Sequence, residues 1–160
     1  MVEIDVTAVS SAPRQAVWAL LADAGSWPRW STFEEAEVDG PDGVGQLRTF
    51  RGAGVARCEQ VVVFEPGRRL GSTLHSGLPV RDHHAEVTLV PRAGGGTAIR
   101  WRTVYRPAVP GTGWLLRRQL QPALTQIAAD LAEAACDGLR PAARPTGWSR
   151  GRTPAVAGLA

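Results

Sequence analysis

The apolar residues near the C-terminal end of the chain recur with the period of an α-helix. Large aliphatic side chains stand three or four positions apart at Leu116, Leu120, Leu124, Ile127 and Leu131. This spacing predicts one long amphipathic helix from Trp114 to Asp137, which begins after the breaker-rich run 107–113 and ends at Gly138. A helix of this length with one apolar face needs a broad apolar surface to lie on.

Alternation of apolar and polar residues predicts strands over most of the preceding chain. They are expected at Glu3–Val9, Phe33–Asp39, Gln46–Arg51, Val55–Glu65, Arg69–Ser76, Asp82–Val90 and Thr97–Arg106. After the first strand, residues 10–13 predict a helix start with a serine cap and a proline in the first turn, and this helix ends near Ala22. A short helical turn with two tryptophans follows. Because strands and helices do not alternate, we expect an α+β fold, in which a seven-stranded curved antiparallel sheet wraps around the C-terminal helix.

Length and composition indicate one domain. The chain has 160 residues, of which 44% are hydrophobic. We expect a single domain over residues 1–140 and a flexible tail, rich in Pro, Gly, Ala and Arg, over 141–160. No apolar run reaches the roughly 18 residues of a membrane span, and the N-terminus lacks the pattern of a signal peptide. These features predict a cytoplasmic monomer or homodimer in which Cys58 and Cys136 are reduced.

The basic residues are dispersed arginines. The chain has 18 basic residues, all arginine, and a net charge of +3. Arg100, Arg102 and Arg106 share one face of the last strand, but a nucleic-acid surface would add interleaved aromatic residues to such a row. We therefore expect no nucleic-acid partner and interpret the row as the solvated outer face of the sheet. Use of this face to bind another protein is an alternative.

The period of two along a strand predicts which side chains face the helix. On the last three strands these are Ile99, Trp101, Thr103 and Tyr105, then His83, Ala85, Val87 and Leu89, and then Leu70, Ser72, Leu74 and Ser76. His75 and His84 are accordingly expected on the outer face.

The fourth strand does not give a unique assignment. It is apolar on both faces over residues 61–64, so the alternation leaves open whether Arg57 and Glu59 or Cys58 and Gln60 face the helix. A β-bulge would reverse either assignment.

Several polar residues fall on surfaces that should pack together. They are Ser72, His83, Thr103 and Tyr105 on the strands and Gln121 and Thr125 beside the apolar stripe of the helix. Since an unsatisfied buried polar group costs about 1–3 kcal/mol, a partly hydrated cavity explains them better than a solid core. Pro122 bends the helix, which either opens this space or follows the curvature of the sheet. Trp27 and Trp30 either plug one end of the core or wall the cavity.

The order of elements and several local motifs resemble the START-related, or helix-grip, superfamily. The resemblance covers about residues 2–138 and is closest to the bacterial polyketide cyclase/dehydratase branch. The motifs that carry it are Ala12–Trp18, Trp27–Trp30, Glu65–Leu70, Glu86–Leu89, Gly94–Thr97 and Ile99–Trp101.

This resemblance implies a deep apolar cavity between sheet and helix that holds a small hydrophobic molecule. In the aromatic polyketide cyclases of the group, polar cavity residues hold a poly-β-keto chain and assist aldol closure and loss of water. Trp27 matches the aromatic residue of the family's turn, and Thr103 lies where such cyclases can place a polar side chain. Residues 61–64 depart from the family, because those cyclases can carry an arginine there.

His83 and Tyr105 are the candidate catalytic residues. The unperturbed pKa of histidine, about 6.5, suits proton transfer near neutral pH, and a tyrosine hydroxyl can donate to an enolate or carbonyl oxygen. Asp82 should point to the face opposite His83, so a simple Asp–His dyad is not expected. The alternative for His83 is a hydrogen-bonded residue at the cavity rim. The histidines lack metal-binding spacing, and we expect neither a metal nor a cofactor.

Together these features predict a protein that binds a small hydrophobic, polyketide-derived molecule and promotes its cyclisation or dehydration. The alternative is a non-enzymatic carrier or sensor of a hydrophobic ligand. The residues expected to line the ligand space are Trp27, Trp30, Ser72, Leu74, Trp101, Thr103, Leu120, Gln121, Leu124 and Thr125.

Overall fold

Seven antiparallel strands form one curved sheet, and a long helix packs against one of its faces. The structure is a computed structural model that describes residues 1–138. The strands are β1 (Val2–Ser10), β2 (Glu35–Asp39), β3 (Leu47–Gly52), β4 (Val55–Glu65), β5 (Arg69–Ser76), β6 (Val80–Pro91) and β7 (Thr97–Pro107). The helices are α1 (Arg14–Ala22), a 3₁₀ helix (Ala24–Arg29) and α2 (Gly113–Asp137). The strand order is β1-β7-β6-β5-β4-β3-β2, so the predicted fold class is confirmed.

The boundaries differ from the prediction at a few points. β2 begins at Glu35 and not at Phe33, because the Phe33 ring stacks on Phe50 with centroids 4.9 Å apart. The predicted tail over residues 141–160 lies outside the described residues.

Helix α2 is buried over only part of its length. It packs mainly against β1, β7 and α1. Its fully buried side chains, which all follow Pro122, are Ile127, Ala128, Leu131, Ala132 and Ala135. Before Pro122 the apolar stripe is at most half-buried, and Trp114 is 69% exposed. The second half of α2 therefore belongs to the core, whereas its first half lies loosely over the sheet.

The two serines before α1 do not cap it, contrary to the sequence prediction. The helix begins at Arg14 after Pro13 and has no side-chain hydrogen bond at its N-cap. Ser10 instead donates its hydroxyl to the carbonyl of Ala132 in α2 at 2.7 Å and accepts the amide of Ala12. The Ser10 hydroxyl thus bonds to α2 in the tertiary structure, whereas the sequence had predicted that it would cap α1.

The arginine row lies on the outer face of the sheet, as predicted. Arg102 binds Glu3 at 2.8 Å, Arg100 binds Asp5, and Arg106 lies 3.5 Å from Asp82. Carboxylates of the same sheet therefore neutralise these arginines. Exposed pairs of this kind contribute about 1 kcal/mol or less each.

A β-bulge in β4 settles the orientation that the sequence left open. The register to β5 shifts between Val61 and Val63, so that Val61 is fully buried and Phe64, three residues on, also packs inward against Trp18 with ring centroids 5.2 Å apart. On the other side of the bulge, Glu59 shares the face of Val61. Val61 and Phe64 both face inward although they are three positions apart, which strict alternation does not allow. For this reason both faces of β4 are apolar in the sequence pattern.

Arg48 of β3 is a buried cation that joins the sheet to the end of α1. It is 2% exposed. Its guanidinium donates to Oε1 of Gln46 at 2.8 Å and to the carbonyls of Ala22 at 2.7 Å and Leu21 at 3.4 Å. The last carbonyls of a helix have no partner within the helix, so Arg48 satisfies the carbonyl of Ala22 and shares that of Leu21 with a second donor, Nε1 of Trp27.

We expect Arg48→Met to lower the free energy of unfolding by about 2–4 kcal/mol, because methionine fills similar space but takes the donor away from the Ala22 carbonyl and from Oε1 of Gln46. Urea denaturation followed by circular dichroism measures the change. Arg51→Met is the matched control on the same strand. Arg51 is part-exposed and pairs with Glu37 at 3.0 Å, so its loss should cost about 1 kcal/mol or less. Equal losses in the two variants would contradict the role given to Arg48.

Candidate functional site

A small cavity lies against the inner face of the sheet. Its volume is about 20 Å³, enough for about one water molecule. Its lining residues come from the 3₁₀ helix and strands β3 to β7: Trp27, Arg48, Phe50, Glu59, Val61, Leu70, Ser72, Ala85, Val87 and Trp101. The family resemblance implied a deep cavity. This expectation was wrong, because the cavity in the structure is small.

Aromatic rings fill most of the space that a deep cavity would occupy. The Trp27 ring stacks on Phe50 with centroids 4.6 Å apart and meets Trp101 edge-on at 5.9 Å. Its Nε1 donates to the carbonyl of Leu21 at 3.2 Å. Trp30 packs behind Trp27 at 5.2 Å and donates its Nε1 to Ser26. Trp27 is therefore both core and cavity wall, whereas Trp30 supports it from outside the cavity.

Three successive inward side chains of β7 carry polar atoms that are buried without a partner among the described residues. These atoms are Nε1 of Trp101, Oγ1 of Thr103 and Oη of Tyr105. The three side chains are at most 6% exposed, which confirms the predicted inward face of β7. Burial raises the pKa of Tyr105, and the charge of Arg117 opposes this effect, so the hydroxyl keeps its proton at neutral pH and can donate it in a hydrogen bond.

His83 enters the same region from β6. Its Nδ1 is buried and has no partner among the described residues. Burial is the main cause that lowers the pKa of His83 below 6.5; the carboxylate of Glu59 opposes this, while Arg57 and His84 add to it. The ring is therefore neutral at pH 7 and able to accept a proton. Asp82 lies outside, against Arg106 at 3.5 Å, so the predicted absence of an Asp–His dyad is confirmed.

Two charged residues of β4 belong to this region and were not assigned from the sequence. Glu59 lines the cavity and accepts the hydroxyl of Ser72 at 3.0 Å. Arg57 lies 3.8 Å from the Glu59 carboxylate, and its guanidinium covers the Phe33 ring at 4.5 Å. The sequence did contain a signal, since Arg57 and Glu59 are two charged residues two positions apart in a largely apolar strand. Their orientation could not be predicted, because the bulge in β4 interrupts the alternation.

The remaining predicted ligand residues are only partly brought together. Leu74 stands opposite Glu59 in the β4–β5 register and is half-buried. Leu120 and Leu124 are half-buried and pack against the core. These three side chains border the region without lining the cavity.

Gln121 and Thr125 do not reach the cavity, which corrects the sequence prediction. Both are exposed, and Thr125 donates to the carbonyl of Gln121 at 2.9 Å. They line a separate depression on α2 together with Arg118, Pro122, Gln126 and Ala129. The physical reason is their position along α2. Both residues precede Ile127, the first fully buried residue of α2, so they lie on the part of the helix that is held loosely over the sheet.

Residues 1–138 provide neither a cluster of metal ligands nor a membrane-spanning helix. No three His, Cys, Asp or Glu side chains of this part converge to hold a metal ion. None of its helices is long and apolar enough to cross a membrane.

Solved structures of similar fold cover most of the chain. XoxI from Bacillus cereus superposes with a TM-score of 0.76 at 14% identity, over 88% of this chain and 100% of that one. A START superfamily protein from Mycobacterium smegmatis gives 0.72 at 12% identity, over 84% and 97%. Norcoclaurine synthase from Thalictrum flavum, in complex with dopamine and hydroxybenzaldehyde, gives 0.69 at 16% identity, over 88% and 89%. At these identities the likeness shows the fold alone.

The sequence itself identifies the family. A comparison with curated proteins gave no match. A family model described as polyketide cyclase / dehydrase and lipid transport, however, matches residues 1–135, which include every element of the sheet and nearly all of α2. The chain therefore belongs to the polyketide cyclase / dehydrase and lipid transport family, and it is a domain for binding a small hydrophobic molecule.

Proposed function

We propose that the protein binds a small polyketide-derived molecule between the sheet and the first half of α2 and promotes its cyclisation or dehydration. The observation that carries the proposal is the set of buried polar atoms without described partners on β6 and β7: Nδ1 of His83, Nε1 of Trp101, Oγ1 of Thr103 and Oη of Tyr105. Each would cost about 1–3 kcal/mol if it stayed unsatisfied. A ligand with several carbonyl or hydroxyl oxygens satisfies them, whereas a purely aliphatic ligand does not.

The aromatic wall complements this polar row. Trp27, Phe50 and Trp101 present flat apolar surfaces beside it. A folded polyketide has the same two properties, because its planar conjugated segments carry oxygen atoms at regular intervals. Binding such a chain in one folded shape brings its reacting carbons together, and this orientation is a large part of the catalytic effect.

Acid–base chemistry by His83 and Tyr105 supplies the rest of the catalytic effect. Neutral His83 removes a proton from a carbon beside a carbonyl, and the Tyr105 hydroxyl donates a hydrogen bond to the enolate oxygen that forms. Aldol closure leaves an alkoxide, and protonated His83 returns the proton to it. For dehydration, His83 then removes a second proton from the same carbon and passes it to the departing hydroxyl group, which leaves as water as the carbon–carbon double bond forms. Both side chains end the cycle in the state in which they began.

The ligand enters by displacement of the first half of α2. The cavity of about 20 Å³ is much smaller than the roughly 300 Å³ or more of a small-molecule site. The part of α2 before Pro122 has no fully buried residue, so its movement breaks few contacts. Pro122 lacks the amide that would bond to the preceding turn, and it provides a natural point of bending.

A non-enzymatic carrier is the second candidate. The observation that favours it is exposed apolar surface at the start of α2, where Val109 is 59%, Trp114 69% and Leu115 42% exposed. Apolar surface of this kind suits transfer of a hydrophobic cargo to a partner.

Native mass spectrometry of the purified protein, followed by identification of any molecule it retains, separates the two candidates. A retained polyketide-derived molecule that is a cyclised or dehydrated product of a linear precursor supports the enzyme. Release of a bound molecule unchanged, with no conversion of its precursor, supports the carrier. A protein that retains nothing and fails to bind anilinonaphthalene sulfonate contradicts both.

We expect Tyr105→Phe and Thr103→Val to separate stability from ligand binding. Each removes a buried hydroxyl without a described partner, so the free energy of unfolding of the ligand-free protein should stay the same or rise. Affinity for the retained ligand, or for anilinonaphthalene sulfonate if none is retained, should fall about two- to tenfold per lost hydrogen bond. Thermal unfolding and fluorescence titration measure the two effects.

The control for this pair is Thr88→Val, since Thr88 lies between the inward residues Val87 and Leu89 and so faces outward. It should leave affinity unchanged. A loss of stability in Tyr105→Phe, with affinity intact, would show that the hydroxyl serves the fold.

The pH dependence of stability should report the buried neutral state of His83. Its pKa is lowered in the folded protein, so as pH falls below about 7 the unfolded chain takes up the proton first, near pH 6.5. Stability is therefore lost as pH falls from about 7 toward the lowered pKa. His83→Gln should flatten this part of the curve, measured by urea denaturation between pH 5 and 8.

The matched control is His75→Gln, because the His75 side chain is exposed. It should keep the wild-type slope. If His83→Gln also keeps that slope, His83 is not buried as a neutral ring and cannot act as proposed.

A further inference from the structure

We propose that Glu59 is the carboxylate partner of His83, a positioning residue that Ser72 and Arg57 hold on the inner face of the sheet. The inference rests on the proposed function, in which His83 transfers a proton. The sequence excluded Asp82 from this role, and the structure offers Glu59 in its place.

Strand register brings the two side chains into one row. Glu59 of β4 stands directly opposite Leu74 of β5. The pairing between β5 and β6 ends with Thr73 opposite His84. One position further along each strand are Leu74 and His83. Glu59, Leu74 and His83 therefore form one row across the three strands. The two residues are thus two strands apart, about 9–10 Å between backbones. Both point inward from a curved sheet, so their long side chains converge above Leu74.

The Glu59 carboxylate is held by two contacts. One oxygen accepts the Ser72 hydroxyl at 3.0 Å, and the other lies 3.8 Å from Nε of Arg57. Arg57 is in turn fixed by its contact with the Phe33 ring, 4.5 Å from the ring centroid. The Glu59 side chain is 16% exposed. A carboxylate that is shielded and tethered in this way keeps one position relative to the imidazole.

Several charged or titratable groups of residues 1–138 lie around His83, and Arg48 of β3 lines the cavity beside Glu59. Glu59 and Arg57 face it from β4, His84 adjoins it on β6, and Tyr105 is the inward residue of β7 at this level, with Arg117 of α2 acting on Tyr105. Glu59 is the acidic member of this set. The acidic residues beside His83 on its own strand face outward, since Asp82 lies against Arg106 and Glu86 against Arg69.

The arrangement has a direct consequence for proton transfer. When the neutral imidazole accepts a proton from the ligand, a positive charge forms in a largely buried place. A nearby fixed carboxylate stabilises that charge, so Glu59 keeps His83 basic where burial and Arg57 would make it a weaker base. Glu59 need not take up the proton itself.

The test follows the three histidines, His75, His83 and His84, by NMR titration of the ligand-free protein. Glu59→Gln keeps the side-chain shape and an acceptor for Ser72. It should move the titration midpoint of His83 to lower pH. Arg57→Gln should move the same midpoint to higher pH, because it removes a positive charge. Glu59→Asp, which retains the charge, should restore part of the shift.

The matched control is Glu86→Gln, since Glu86 lies 3.9 Å from His84 on the outer face. It removes a carboxylate from the outer face and should leave the midpoint of His83 in place. An unchanged His83 midpoint in Glu59→Gln, or shifts of the same sign in the Glu59 and Arg57 variants, would overturn the inference and leave Glu59 as the ion-pair partner of Arg57. Because no ligand is present, this outcome is independent of whether the protein turns over a polyketide.

Discussion

The rest of the structure depends on the close packing of the second half of α2 against β1 and β7. Three of the buried residues there are alanines, Ala128, Ala132 and Ala135, and their small side chains let the helix backbone approach the sheet. Ser10 of β1 seals this contact with a hydrogen bond to the carbonyl of Ala132 at 2.7 Å. Since one half of α2 secures the helix, the other half is free to lie loosely over the sheet.

That division separates stability from function along one helix. Beyond the packed half, the inner face of the sheet carries aromatic rings together with polar atoms that have no described protein partner. A core that served the fold alone would replace those atoms with apolar groups at a gain of about 1–3 kcal/mol each. Their retention next to the loosely held segment supports the proposed ligand site.

Bulges decide which side chains reach this face. The shift between Val61 and Val63 in β4 resets the alternation of that strand, and the shift between Arg81 and His84 in β6 ends regular pairing beside His83. Each bulge lies next to a residue with an ionisable side chain in the site. In β4 the bulge brings Phe64 inward in addition to Val61, while Glu59 keeps the inward parity of Val61.

The sequence by itself determined the fold class, the strand boundaries to within a few residues and the inward face of β7. These follow from periodicity, which is a local property. It also predicted the inward orientation of Ser72, Trp101 and Thr103, because alternation held on those strands, and the family resemblance pointed to Trp27. Only the tertiary structure decided the orientation of Arg57 and Glu59, the exclusion of Gln121 and Thr125, and the burial of Arg48. Each of these depends on a bulge, on the length of a helix that is actually covered, or on a helix end that lies far away in the chain, and none of the three is encoded in the spacing of neighbouring residues.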